Sequence, residues 1–189
     1  MTPDSLRLVA RLTVLGLVVT VLQIAAISQV KVFGVNADLL PLVVMAVGLL
    51  CGSVTGACFG FGVGFFADAA LVQTLGLTSL VLVLAGYATG RLRELRDPQG
   101  ALVPLIAGAV ATAIATIGYG VVQFLLGVDA PVSLLLLRQM LASILLNMVI
   151  AIPVYAVVRR WLSSALPDDR RPRRRRAYAT GGLSPLGRA

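Results

Sequence analysis

Long uncharged stretches decide what this chain can fold into. Leu12–Ile27, Leu39–Ala67 and Ala101–Leu126 contain no Asp, Glu, Lys or Arg. A helix rises about 1.5 Å per residue and needs about 20 apolar residues to cross a hydrocarbon core of roughly 30 Å. Several segments reach or approach that length. Composition agrees: 58% of residues are hydrophobic and 13% charged, whereas a soluble domain has about 45–50% apolar residues. The expected fold class is an all-α integral membrane protein, with the bilayer as its solvent.

Arg7 and Arg11 flank the first run, and Ala26-Ile27-Ser28 is a weak small-x-small cleavage pattern. The run is long for a cleaved signal and further spans follow it, so it is expected to stay as the first span.

Counting the spans turns on Leu39–Ala67. As one helix its 29 residues would measure about 43 Å, too long without strong tilt. As two, each would be about 20 Å, and Gly52-Ser53 near the midpoint offers the turn. Basic residues in cytoplasmic loops separate these options. Five crossings would put the Arg91/Arg93/Arg96 cluster and the arginine tail outside. Six crossings leave only Lys31 and Arg138, of 16 basic residues, off the cytoplasmic side. The expectation is a compact bundle of six transmembrane helices within residues 1–166, both termini cytoplasmic, with spans near 7–28, 38–51, 53–67, 75–91, 101–126 and 133–159. Residues 167–189 read as a disordered Arg-rich tail, whose charge suits anionic headgroups better than nucleic acid. Gln29–Ala37, Asp68–Thr74 and Gly127–Val132 form short outer loops, leaving no soluble domain to carry chemistry.

Catalysis is disfavoured. The chain has no histidine, which removes the commonest general base and metal ligand. Lys31 is its only lysine, so a Ser/Lys dyad has no support. Asp38 and Asp68 could form an aspartyl pair at the outer face, but nothing near them supports it. No metal or cofactor is expected. Cys51 and Cys58 read as buried thiols acting as small hydrophobes.

Inside the membrane, Gly48, Gly52, Gly56, Gly60 and Gly64 recur every fourth residue, which predicts close approach of a neighbouring helix. That neighbour belongs to this chain or to a partner, and the two are not exclusive. Arg138 enters the last span near its outer end, where it either snorkels to headgroups or pairs with Asp38, Asp68 or Asp129. Asn147 is expected to bond a neighbouring helix, with a bend at Pro153; Gln23 and Gln123 carry weaker versions of the same signal. Asp38 is well placed to cap the helix beginning at Leu39. Asp68 ends its span, where the helix dipole disfavours a carboxylate, so it invites a partner.

The order of motifs adds a resemblance. Asn36-Ala37-Asp38-Leu39-Leu40-Pro41-Leu42-Val43 precedes the glycine series. Gly60-Phe61-Gly62-Val63-Gly64-Phe65-Phe66-Ala67-Asp68, Leu75-Gly76-Leu77-Thr78-Ser79-Leu80 and Gly86-Tyr87-Ala88-Thr89-Gly90-Arg91 follow. Together with the last span this resembles the MreD family of bacterial rod shape-determining membrane proteins over most of residues 8–160. Many members have Pro where this chain has Ala37. The resemblance implies the bacterial cytoplasmic (inner) membrane and a non-catalytic scaffold of the cell-elongation complex. Such a scaffold would dock the single-span protein MreC and help couple the MreB cytoskeleton to the peptidoglycan synthase. Candidate partner-binding residues are Gly56, Gly60, Gly64 and Asp68, with Asp38 and Arg138. Membrane lipids are also expected partners, and self-association stays open. A substrate-capture subunit of an energy-coupling-factor transporter is the alternative. It would need convergent polar groups around a pocket, for which Gln23, Gln123, Asn147 and scattered Ser/Thr are a thin supply.

Overall fold

A computed structural model describes residues 3–27, 31–32, 35–36, 38–71, 74–95, 102–127 and 134–163. Asp129, Arg96 and the tail at 167–189 lie outside them. The described residues hold six α-helices: α1 (Pro3–Leu22), α2 (Leu39–Cys51), α3 (Ser53–Ala70), α4 (Leu77–Leu95), α5 (Leu102–Leu125) and α6 (Leu134–Leu162). Four of these are long and apolar enough to cross a membrane; α2 is a shorter apolar helix. The divided reading of 39–67 therefore holds, with the break at Gly52. Gly52 has φ +99°, a conformation that costs glycine nothing and other residues much.

Two features differ from expectation. A π-helical turn, Gln23–Ile27, continues α1, and an antiparallel pair of two-residue strands, β1 (Lys31–Val32) and β2 (Val35–Asn36), lies between α1 and α2. Val32 pairs with Val35, residues whose branched side chains suit a strand.

Helix α2 is the centre of the molecule. It touches each of the other five helices, and Leu40 through Leu50 are all buried. At 13 residues it is about 20 Å long. Its neighbours carry the outward apolar surface, among them Val14, Val18 and Val21 on α1, Phe61 and Phe65 on α3, and Leu137, Leu141 and Leu145 on α6. In water such a surface would be an aggregation liability, whereas in lipid it is the required exterior.

The first N–H groups of a helix have no partner within it, and hydrocarbon offers none. At the start of α2 three side chains meet that need. Asp38 N–H donates to Asn147 Oδ1 at 3.3 Å, Leu39 N–H to Gln23 Oε1 at 3.0 Å, and Leu40 N–H to Asp38 Oδ1 at 3.3 Å. The expected cap at Asp38 and the expected interhelical bond of Asn147 thus serve one terminus. Replacing Asn147, 1% exposed, with Leu is expected to lower stability by roughly 1 kcal/mol. Thermal unfolding in detergent, read by circular dichroism, checks this.

Basic side chains gather at the opposite end of α2. Arg93 donates to the Leu50 carbonyl near the α2 C-terminus, and Arg11 donates to the Trp161 carbonyl at 3.0 Å. Leu12, Leu50, Val158 and Leu162 share one apolar cluster there. The N-terminus of α1 and the C-termini of α2, α4 and α6 therefore lie at one end of the bundle.

Candidate functional site

The glycine series organises the fold from within. Gly48 and Gly56 flank the Gly52 turn and touch each other, so α2 and α3 fold back as a hairpin. A Cβ on Gly56 would stand 2.7 Å from Gly48 Cα and 2.8 Å from the Gly86 carbonyl oxygen. On Gly60 it would meet the Leu82 oxygen at 2.5 Å, and on Gly64 the Ser79 Cα at 2.5 Å. Ser53 meets Gly90 at the other end of this contact. Positions on α3 rise as those on α4 fall, so the two helices run antiparallel with backbone on backbone. Packing within the chain is realised along this series, and Gly56, Gly60 and Gly64 are buried.

Asp68 is buried too, 1% exposed. Its Oδ2 accepts the N–H of Gly76 at 2.8 Å and of Thr78 at 3.1 Å, at the N-terminus of α4. A carboxylate that suits the end of α3 poorly suits the start of α4 well. Gly76 has φ +95°, and this bend places its N–H within reach. Among the described residues, Asp68 Oδ1, Ser79 Oγ and Asn147 Nδ2 are buried without a hydrogen-bond partner.

Arg138 is exposed. No ion pair joins it to Asp38 or Asp68 among the described residues, and Asp68 is held by backbone donors instead. Cys58 corrects an expectation: it is exposed, while Cys51 is partly buried. An apolar position in a bilayer protein faces lipid as readily as core, so the apolar run around Cys58 did not imply burial.

The sites expected to act together thus separate. Gly56, Gly60, Gly64 and Asp68 lie along the α3–α4 contact, Asp38 belongs to the start of α2, and Arg138 stands apart. Gln23 and Asn147, two of the polar groups a ligand pocket would need, are turned onto α2.

The sequence reading missed the α4 half of the contact, although Gly86 and Gly90 are themselves four apart. It also missed an outward groove of about 410 Å³ between α1 and α3, lined by Thr13, Gly16, Thr55, Cys58, Gly62 and Phe66 among others. Gly62 is open on this side, with nothing within 4 Å of a Cβ built there. It falls outside the four-residue series, which is the one signal that set it apart.

A family model described as rod shape-determining protein MreD matches residues 6–164. No curated protein and no solved structure matches the chain.

Proposed function

We propose that this chain, which belongs to the MreD family of rod shape-determining proteins, is a non-catalytic scaffold crossing the bacterial cytoplasmic membrane six times. Arg7, Arg11, Arg93, Arg159 and Arg160 fall at one end of the helices, and the positive-inside rule makes that end, with both termini, cytoplasmic. The shortness of α2 is no obstacle to a sixth crossing, because its neighbours and not lipid surround it.

On this reading the scaffold docks an MreC-like single-span partner and helps couple the MreB cytoskeleton to peptidoglycan synthesis. The observation that carries the docking face is the α1–α3 groove. Gly56, Gly60 and Gly64 are occupied by α4, whereas Thr13, Thr55, Cys58 and Gly62 line an outward groove walled by Leu12, Leu17, Phe59 and Phe66. Small residues let a second helix approach closely, so a partner helix is placed against Gly62.

A detergent pull-down of the tagged protein from its host, read by mass spectrometry, tests this. The wild type is expected to recover a single-span MreC-like protein. Gly62→Leu is expected to lose it while keeping wild-type thermal stability. Retention of the partner by Gly62→Leu would refute the groove. Recovery of ATPase and coupling subunits would make the chain a transporter component. An untagged second copy lost with Gly62→Leu would assign the groove to self-association.

A further inference from the structure

A second concavity, about 500 Å³, lies at the basic end of the bundle and is lined by Arg11 and by Val157, Arg160 and Trp161 of α6. It opens on the face of α1 turned away from the groove near Gly62. Two guanidinium groups stand beside an indole that is half exposed and an exposed valine. Arg11 is held in place, since its Nη1 donates to the Trp161 carbonyl, one of the last α6 carbonyls that lack a partner within the helix. An arginine fixed by backbone loses less freedom on meeting a ligand than a free one does.

The chemistry here is amphipathic and has a definite order along the membrane normal. Val157 lies one turn closer to the bilayer centre than Trp161, and the arginines lie at the helix ends. Indoles settle at the headgroup boundary. Guanidinium groups bind phosphate oxygens through paired N–H donors. An anion with an apolar chain attached satisfies both parts of the pocket at once.

We propose that this concavity is a binding site for an anionic phospholipid, with the phosphodiester between Arg11 and Arg160 and an acyl chain along Val157 and the Trp161 ring. Charge complementarity selects the headgroup: a zwitterionic lipid brings its own cation to a pocket that already holds two. The site is distinct from diffuse attraction between the membrane and the arginine tail, because it is built from two helices joined by the bond from Arg11 to the Trp161 carbonyl. Bound there, the lipid ties the first helix to the last.

The chain supplies its own reporter, since Trp161 is its only tryptophan. The full-length protein is reconstituted in phosphatidylcholine vesicles containing a rising mole fraction of either acyl-brominated phosphatidylglycerol or acyl-brominated phosphatidylcholine. Bromine quenches the indole on contact. One guanidinium near an anionic headgroup favours it about fivefold, so brominated phosphatidylglycerol is expected to quench at a several-fold lower mole fraction. Arg160→Gln is expected to remove about fivefold of that preference. Arg159→Gln, one residue away and outside the pocket, is expected to leave it unchanged. Arg160 is exposed, so its replacement leaves the fold intact, which the thermal transition verifies. Equal quenching by the two lipids would overturn the proposal. So would an equal loss in Arg159→Gln and Arg160→Gln, which is the signature of diffuse surface attraction, or no loss in either.

Discussion

Gly60→Ala is expected to lower the stability of the bundle by about 1–3 kcal/mol, the range for overpacking a tight interior. The added methyl would lie 2.5 Å from the Leu82 carbonyl oxygen. That atom belongs to a helix backbone and has no rotamer by which to yield. Relief requires α3 and α4 to part, which breaks the neighbouring contacts at Gly56 and Gly64 along the same line. Gly60→Leu is expected to go further and prevent assembly. Gly62→Ala is the matched control: two residues along the same helix, it meets nothing within 4 Å and gains helix propensity. Its transition temperature is expected to equal or slightly exceed the wild type's. Thermal unfolding of the three variants in one detergent decides the matter, and equal behaviour of Gly60→Ala and Gly62→Ala would refute the close contact.

Asp68→Ala is expected to cost roughly 2–6 kcal/mol, since each buried N–H left without its acceptor costs about 1–3 kcal/mol and two are left together. The N–H groups of Gly76 and Thr78 would be left without a partner at a buried helix end. Asp68→Asn keeps one acceptor oxygen and should lose less than half as much. Hydrogen exchange supplies the local readout, with the first turn of α4 expected to lose protection before the rest of the helix. A side chain that served only a partner would leave both stability and exchange unaltered in the isolated protein. This experiment therefore separates the internal role of Asp68 from the docking role assigned to it by sequence.

Much of the architecture was legible because charge and glycine are strong signals in an apolar chain. The 39–67 run was divided at Gly52 on helix length and arginine distribution, and the break is there. The glycine series announced a close contact, but its partner surface on α4 depends on how two helices align, which no local pattern encodes. Asp38 was legible as a cap because its target is two residues away. Asp68 was not, because its targets lie eight and ten residues on, at the start of a different helix from the one it ends. Gln23 and Asn147 stood out as polar groups in hydrocarbon, while their common target required three segments to meet. Cys58 was misplaced for the opposite reason: apolar surroundings look the same whether supplied by lipid or by protein.

The capping of α2 by Gln23 and Asn147 also has a consequence for biogenesis. A helix of 13 residues whose residues 40–50 are all buried by protein has little lipid contact of its own, so on the proposed six-crossing topology it inserts together with α3 as one hairpin. Gln23 is already made by then, but Asn147 lies in α6, which is made after α2 and α3. Until that helix arrives, the start of α2 is a polar end waiting in oil for its partner. Insertion therefore finishes at its centre, and a nascent chain halted before α6 should remain a substrate for membrane quality-control proteases.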